Sequence, residues 1–172
     1  MRIAKSCAPA IILELGTAYG NTVANLCHEL PKATVYTVNA LPSQQTGSLV
    51  TWSLTEQEIG RVFRQYGFAD RVKQLLTNTI QLDLSSNFDQ PLIDLAIIDA
   101  CHDTEYVVND FCKVKDYVRP GGLILFHDTH PSMQGHLIGS YRACLLLRRR
   151  GFDVRHIADT WWGIWRNTSH TN

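Results

Sequence analysis

The sequence lacks a surplus of charge of either sign, because its 172 residues carry 16 Lys and Arg against 16 Asp and Glu. Non-specific binding of nucleic acid needs a broad positive field, which a net charge of zero does not supply. The one basic run, Arg148-Arg149-Arg150, ends an apolar helical pattern, where cations interact favourably with the helix dipole. We therefore expect no nucleic-acid partner.

Long hydrophobic runs and paired cysteines are also missing. The longest apolar stretches have the length of strands, so the sequence predicts no membrane span and no signal peptide. The five cysteines are scattered, odd in number and form no CxxC pair, which disfavours a disulfide framework and a zinc site. Reduced thiols of this kind are typical of a cytoplasmic protein. The length, without repeats or low-complexity segments, favours one domain over residues 1–172.

The most informative segment lies near the N-terminus, over residues 11–22. The apolar run from Ile11 to Leu15 predicts a buried strand that breaks at Gly16. A helix follows, for which Asn21 or Thr22 is the predicted N-cap. Strand, glycine loop and helix N-terminus together predict a socket of free backbone N–H groups, suited to a carboxylate or a phosphate.

The rest of the chain alternates predicted strands with predicted helices. The strands are expected at residues 33–38, 72–76, 93–99, 123–126, 152–157 and 162–166. Helices are expected after the socket, after a capping box at 55–58 and up to Gly67, and over 106–118 and 136–149. Residues 1–9 look too short for an element, and 40–53 form a polar loop. This alternation predicts an α/β fold with a parallel sheet covered on both faces.

Polar residues gather at the ends of these predicted strands. In open parallel sheets, ligands bind beyond the carboxyl ends of the strands, near the switch in strand order. The strand-end positions are 16–20, Asn39, Asn78, 99–102 and 127–130. Their common location predicts a single binding site at this edge of the sheet.

Three motifs, in this order along the chain, resemble the class I S-adenosylmethionine-dependent methyltransferases. They are Glu14-Leu-Gly-Thr-Ala-Tyr-Gly-Asn-Thr22, the strand that ends at Asp99, and Arg119-Pro-Gly-Gly-Leu-Ile-Leu-Phe126. Residues 98–106 and 126–128 resemble a narrower O-methyltransferase-like branch related to catechol, cephalosporin and macrolide methyltransferases. The resemblance implies a Rossmann-like methyltransferase fold, with a mostly parallel seven-stranded sheet, helices on both faces and an antiparallel last strand.

The same resemblance implies an S-adenosylmethionine site. Its expected residues are Glu14, Gly16, Thr17, Ala18, Tyr19, Gly20, Asn21, Thr22, Asn39, Asn78, Thr79, Asp99 and His102. Asn39 stands where the family has Asp or Glu on the ribose hydroxyls, and Asn78 where an Asp commonly faces the adenine amino group. Because an amide lacks the charge-assisted strength of a carboxylate, we expect weakened cofactor binding. The alternative is that both are turn-forming asparagines.

The resemblance also implies a reaction centre at the ends of the fourth and fifth strands, where related enzymes hold a divalent cation. Asp99, His127 and Asp128 are the expected ligands of Mg²⁺ or Mn²⁺, and the expected catalytic residues are Asp99, His102, Asp128 and His130. The two histidines outside the ligand set are candidate general bases. Alternatively, one caps a helix or faces adenine and the other is an ordinary loop residue. A histidine ligand favours manganese, iron or zinc over magnesium, or leaves the site empty.

These expectations define the predicted function, which is S-adenosylmethionine-dependent O-methylation of a small hydroxylated substrate, with or without the help of a metal. A nicotinamide dehydrogenase is disfavoured, because the loop is Gly16-x-x-x-Gly20 rather than GxGxxG and no acid ends the second strand. Base-modifying N-methyltransferases carry an Asn/Asp-Pro-Pro-aromatic turn, whereas this chain has Asp99-Ala-Cys-His102.

The alternative from another class is a non-catalytic methyltransferase-like module for binding or assembly. The two asparagines favour it, as does the short segment before the first strand, where related enzymes carry helices that enclose the substrate. A partner subunit could supply that lid, which would make the protein a homo-oligomer, or the 40–53 loop could supply it. The C-terminal tryptophans (Trp161, Trp162 and Trp165) fit either a core or an interface.

Overall fold

The computed structural model describes residues 1–45 and 54–169, apart from the side chain of residue 136. The strands are β1 (Ile11–Leu15), β2 (Thr34–Asn39), β3 (Val72–Leu76), β4 (Ile93–Ile98), β5 (Val118–Phe126), β6 (Arg155–His156) and β7 (Gly163–Arg166). The α-helices are α1 (Arg2–Cys7), α2 (Asn21–Glu29), α3 (Arg61–Gln65), α4 (Thr104–Val114) and α5 (Ile138–Arg149). No helix within the described ranges is long and apolar enough to cross a membrane.

The seven strands form one sheet in the order β3-β2-β1-β4-β5-β7-β6. Strands β1 to β5 pair in parallel, and β7 runs antiparallel to both β5 and β6. The predicted fold class, including the antiparallel last strand, is therefore confirmed. The strand order reverses between β1 and β4, so the carboxyl ends of these two strands border the crevice in which such sheets bind ligands.

Both faces of the sheet are buried, which explains why its strands are continuous apolar runs. Along β1, Leu13 and Leu15 pack with helices α4 and α5 in one cluster, whereas Ile12 packs with α2 and α3 in the other. Successive side chains of a strand point to opposite faces, so one apolar run supplies both clusters. This double cover fixes β1 and β4 in the middle of the molecule and thereby fixes the loops that follow them.

The helix predicted after the capping box is much shorter than expected. The Thr55 N–H donates to Glu58 Oε2 at 3.0 Å, which is one of the two bonds of a capping box, and the Thr55 hydroxyl donates to the same oxygen at 2.8 Å. Helix α3, however, begins only at Arg61. The Gly60 N–H donates to the Ala18 carbonyl at 2.8 Å, and the Val62 N–H donates to the Tyr19 carbonyl at 2.9 Å. These bonds to the glycine loop replace the intrahelical bonds, so a tertiary contact overrides the local preference.

The predicted N-cap of α2 is also wrong, because the capping residue is Gly20 and not Asn21 or Thr22. Gly20 has φ 85°, and a Cβ there would lie 2.8 Å from Cδ1 of Phe63. Only glycine allows this positive φ and this close approach of α3 at little cost. The glycine therefore serves the packing of the loop against the next helix.

Three other elements also differ from the prediction: one helix was not predicted, and two strands have other bounds than expected. Residues 2–7 form α1, whose Ala4 packs under the sheet. Strand β5 starts at Val118 and not at 123, because Val118 pairs with Ile93 of β4 and the backbone of Asn167 bonds to Gly121 and Gly122. Strand β6 has only two residues, because the amides of residues 152 and 154 bond within the preceding turn. Of the predicted 40–53 loop, residues 46–53 lie outside the described ranges.

Candidate active site

A cavity of about 370 Å³ opens at the carboxyl ends of β1, β2 and β4. This volume lies within the range of small-molecule and cofactor sites. Nine of the residues that the sequence assigned to the site line it, namely Gly16, Ala18, Asn39, Asn78, Thr79, Asp99, His102, His127 and Asp128. The cavity lining therefore combines residues of the expected cofactor site with residues of the expected reaction centre.

The glycine loop and the end of β4 touch at Gly16. This residue has φ 108°, and a Cβ at its position would lie 2.1 Å from the carbonyl oxygen of Asp99. Any side chain would push the loop away from the strand end, so this position needs glycine. The contact brings the loop that follows β1 next to the candidate catalytic carboxylate.

The predicted socket of free N–H groups is only partly present. Gly16 and Thr17 donate to the Val38 carbonyl at 2.9 and 3.1 Å, and Gly20 donates to the Thr17 carbonyl at 2.7 Å. Ala18 donates to Oδ1 of Asn39 at 3.0 Å. The loop therefore uses these N–H groups to hold its own shape, and the prediction is wrong for these four residues.

The first turn of α2, unlike the glycine loop, has N–H groups that take no part in the helix's own hydrogen bonds. Its first intrahelical bond runs from the Ala24 N–H to the Gly20 carbonyl at 3.0 Å. The N–H groups of Asn21, Thr22 and Val23 precede that bond, as the first N–H groups of every helix do. Donors for an anionic ligand are thus expected at the helix and not in the glycine loop.

Glu14 lies beneath the cavity and not in its wall. The Thr37 hydroxyl donates to Oε2 of Glu14 at 2.6 Å, and the Thr17 hydroxyl lies 2.7 Å from that of Thr37. Burial raises the pKa of Glu14 to about 8, although the bond from Thr37 offsets part of the effect. The three side chains form a buried polar chain that links β1, β2 and the glycine loop.

Asn39 and Asn78 both bond to the backbone at the edge of the cavity. Asn39 accepts from Ala18, as described, and donates to the Ala40 carbonyl at 2.8 Å. Asn78 donates to the Gln44 carbonyl at 2.8 Å and accepts from the Ile80 N–H at 2.9 Å. Both side chains thus have the turn-stabilising contacts typical of asparagine. Both residues also line the cavity, where a ligand could contact them.

Four ionisable side chains converge at the ends of β4 and β5. Nε2 of His102 lies 3.1 Å from Oδ2 of Asp128 and 3.5 Å from Oδ1 of Asp99. Nδ1 of His127 lies 3.1 Å from Oδ1 of Asp99 and 3.2 Å from Oδ1 of Asp128. One potential ligand atom from each residue lies within 4.8 Å of all the others. We call these four residues the His2Asp2 cluster.

The two carboxylates hold both imidazoles of the cluster in their protonated form. Burial alone would lower the pKa of His102 and of His127, but the contacts with Asp128 and Asp99 outweigh it and raise these pKa values to about 9 and about 10. Conversely, burial would raise the pKa of each carboxyl, yet the histidines hold the pKa of Asp99 and Asp128 below the usual range. In this state the cluster carries two positive and two negative charges.

The backbone of Asp128 is itself unusual. It has φ 54°, a left-handed conformation that Asp and Asn adopt more readily than most residues. Non-glycine residues held in this region cost free energy and cluster at functional sites. The conformation directs the Asp128 carboxylate between two histidines instead of along the strand.

The remaining predicted site residues do not line the cavity. They are Glu14, Thr17, Tyr19, Gly20, Asn21, Thr22 and His130. Nδ1 of His130 lies 2.6 Å from the Ser132 hydroxyl, and its ring packs 5.5 Å from that of His156. His130 is therefore placed outside the His2Asp2 cluster.

The C-terminal tryptophans divide between the core and the surface beside the cluster. Trp162 and Trp165 pack against the two hydrophobic clusters, whereas Trp161 is 56% exposed. The ring of Trp162 lies 4.5 Å from that of His127, and the ring of Trp161 lies 6.3 Å from it. These aromatic rings cover the outer side of the cluster.

Sequence reasoning did not place His102 among the potential metal ligands. It also left eight wall residues out of the site, namely Val38, Ala40, Gln45, Leu54, Ala100, Cys101, Tyr106 and Leu137. For Cys101 and His102 the available indication was position, because they lie two and three residues after Asp99 in the segment that follows β4. Strand-end location alone, however, does not tell which of several successive side chains turns toward the cavity.

Comparisons with known proteins agree with this geometry. A family model described as a methyltransferase domain matches residues 13–129. Cofactor-bound Rv0187 from MTB is 20% identical, with a TM-score of 0.73 over 98% of this chain and 78% of that one. The O-methyltransferase TomG from Streptomyces achromogenes, in complex with SAM, is 17% identical, with a TM-score of 0.62 over 98% and 77%. The O-methyltransferase from Bacillus cereus in complex with SAH is 18% identical, with a TM-score of 0.64 over 96% of this chain and 76% of that one. The search of curated proteins found no match.

Proposed function

The chain belongs to the family described as a methyltransferase domain, and from that premise we propose that it methylates a hydroxyl group of a small molecule with S-adenosylmethionine. The observation that carries the proposal is the composition of one cavity. Its wall includes Gly16, Asn39 and Asn78 from the expected cofactor side, and also the whole His2Asp2 cluster. A donor and an acceptor bound in this space would lie next to each other.

The residues of the cavity fit the cofactor in shape and polarity. The absence of a side chain at Gly16 lets a ligand approach the backbone at the cavity wall. The N-terminus of α2 lies outside that wall, so its N–H groups would meet a carboxylate only where the ligand extends past the glycine loop. Asn39 and Asn78, which line the cavity, would face the ribose and the adenine. The cofactor-bound state of three proteins with this fold, described above, also supports the proposal.

S-adenosylmethionine would supply a methyl group on a positively charged sulfur. The chain would contribute alignment of the acceptor hydroxyl, since such a displacement depends mainly on geometry. The C–S bond of the donor would break as the O–C bond forms, and the hydroxyl proton would pass to a carboxylate oxygen of Asp99 or Asp128, because both imidazoles of the cluster are already protonated. The adjacent His102 and His127 hold these carboxylates in place.

A divalent cation is a further part of the proposal. If bound by Asp99, His127 and Asp128, it would lower the pKa of a coordinated hydroxyl. The donor atoms of the cluster are close enough together to surround one ion. The same side chains would then position the acceptor oxygen beside the methyl donor.

The test is a transfer assay with S-adenosylmethionine labelled in its methyl group and a panel of small phenols and alcohols. We expect label in an ether product and an equal amount of S-adenosylhomocysteine. Asp128→Asn should lower the rate by roughly 100-fold or more, whereas Asp153→Asn, which removes an exposed ion-pair partner of Arg155, should not change it. Label in N-methyl or C-methyl products, or an unchanged rate in Asp128→Asn, would contradict the proposal.

A further inference from the structure

The nitrogen–oxygen distances within the His2Asp2 cluster are close to those between neighbouring ligands of a single metal ion. Metal–nitrogen and metal–oxygen bonds of about 2.1 Å place neighbouring ligand atoms roughly 3.0–3.4 Å apart. The four nitrogen–oxygen distances in the cluster are 3.1, 3.1, 3.2 and 3.5 Å. One ligand atom from each residue lies within 4.8 Å of the others. An ion could therefore enter after a small contraction of the cluster and loss of the two imidazole protons.

Neighbouring elements hold the four ligand side chains in place. Asp128 and His102 are buried at 5% and 9% exposure, and His127 packs against Trp162. The left-handed backbone at Asp128 fixes the carboxylate that contacts both histidines. Ligands on such supported positions lose little freedom when a metal binds, which favours tight binding.

The chemistry of the donors discriminates between metals. Magnesium prefers six oxygen ligands and retains several waters, whereas imidazole nitrogen suits iron, cobalt, nickel and zinc. Half of the donors here are imidazole nitrogens, and the two carboxylates balance the charge of a divalent ion. The set thus differs from the all-oxygen environment that magnesium prefers.

We propose that the His2Asp2 cluster binds a divalent first-row transition metal through all four side chains, with His102 as the fourth ligand, and discriminates against Mg²⁺. The catalytic use of this ion rests on the proposed function, but its binding does not. The competing arrangement is a metal-free network of two imidazolium groups and two carboxylates, which the same distances would also satisfy. The two arrangements differ in whether added metal binds.

The experiment titrates metal-depleted protein with CoCl2, ZnCl2 and MgCl2 in separate calorimetric runs, without S-adenosylmethionine or substrate. We expect one Co²⁺ or Zn²⁺ per chain, bound roughly 100-fold more tightly than Mg²⁺. Bound Co²⁺ should also show visible d–d absorption, which gives a readout independent of activity. Absence of stoichiometric Co²⁺ binding, or equal affinity for Mg²⁺, would overturn the proposal.

The variant His102→Asp tests the fourth ligand. It should weaken Co²⁺ binding about tenfold and strengthen Mg²⁺ binding, so that the ratio of the two affinities falls. His28→Ala, on the exposed side of α2, is the matched control and should leave both affinities unchanged. An unchanged ratio in His102→Asp would exclude His102 as a ligand. If this variant loses its circular dichroism spectrum, His127→Asp provides the same comparison.

Failure of the metal site and failure of the proposed function give different results, because Co²⁺ binding and S-adenosylmethionine binding are measured separately. A protein that binds S-adenosylmethionine and transfers methyl groups but binds no Co²⁺ would overturn the metal site alone. A protein that binds Co²⁺ but not S-adenosylmethionine would overturn the proposed function and leave the metal site standing.

Discussion

Oδ1 of Asn39 accepts a hydrogen bond from the backbone N–H of Ala18 at 3.0 Å, which joins the end of β2 to the glycine loop. The same side chain donates to the Ala40 carbonyl. Asn39 therefore holds the loop in the shape that borders the cavity, in addition to any contact that it makes with a ligand. Asn39 is therefore both a turn-forming residue and a residue of the cavity wall.

Removal of the Asn39 side chain should weaken cofactor binding through the loop. Asn39→Ala loses two hydrogen bonds, each worth about 1 kcal/mol, and leaves the Ala18 N–H without its acceptor. We expect the Kd for S-adenosylmethionine to rise about tenfold in calorimetric titration. Asn87→Ala, in a turn that does not line the cavity, should bind like the wild type. Equal affinity in Asn39→Ala would show that the bond to Ala18 does not shape the site.

Gly16 should tolerate no side chain. Gly16→Ala places a Cβ 2.1 Å from the Asp99 carbonyl oxygen, so it should lower the free energy of unfolding by about 3 kcal/mol or more. Gly67→Ala provides the control, because Gly67 has φ 75° and a Cβ at its position would have no neighbouring atom within 4 Å, so this change should cost about 1–2 kcal/mol. Urea denaturation measures both. If both variants lose a similar free energy of unfolding, then the need for glycine at position 16 comes from backbone strain and not from the clash with Asp99.

Glu14 should make stability depend on pH. Below pH 4.5 its carboxyl is protonated in both states, whereas between pH 4.5 and about 8 only the unfolded chain releases the proton. The wild type therefore loses stability over this range, by an amount on the order of 4 kcal/mol. The Glu14→Gln variant has no carboxyl to titrate at this position, so its free energy of unfolding should increase relative to that of the wild type as the pH rises from 5 to 8.5. The control Glu56→Gln, at an exposed position, should show no such relative increase. If the free energy of unfolding of Glu14→Gln runs parallel to that of the wild type across this pH range, the raised pKa of Glu14 is contradicted.

The histidines of the cluster should titrate far from the usual range in metal-free protein. We expect imidazole NMR signals of His102 and His127 to show pKa values near 9 and 10, falling toward 6.5 in Asp128→Asn. These raised pKa values stabilise the fold fully below pH 6.5, and the contribution is lost as pH rises through 9 to 10. Asparagine also tolerates the left-handed backbone at this position. Wild-type values near 6.5 would show that the ion pairs are absent.

The sheet could be predicted from sequence because its strands carry their pattern locally. An apolar run such as 93–98 specifies a buried strand whatever surrounds it, and the third strand has its predicted bounds, 72–76, although it is only partly buried. By contrast, α3 is shortened because Gly60 and Val62 bond to the glycine loop, and β5 is lengthened by pairing with Asn167. These contacts join residues far apart in the chain, which periodicity does not reveal.

The candidate site was predictable in location but not in detail. Strand-end positions brought Asp99, His127 and Asp128 together in the prediction, because parallel strands end at one edge. The sequence did not indicate that the loop N–H groups are consumed by Val38 and Asn39, since that depends on how the loop folds back. Nor did it show that His102 turns toward the two carboxylates.

Calorimetric titration of the purified protein with S-adenosylmethionine tests the central claim most directly. The proposed function predicts one site per chain with a Kd in the micromolar range, roughly −8 kcal/mol at 1 μM, and loss of that site in Gly16→Ala when this variant is folded. Absence of binding up to millimolar S-adenosylmethionine would contradict the proposed function and favour a non-catalytic methyltransferase-like module.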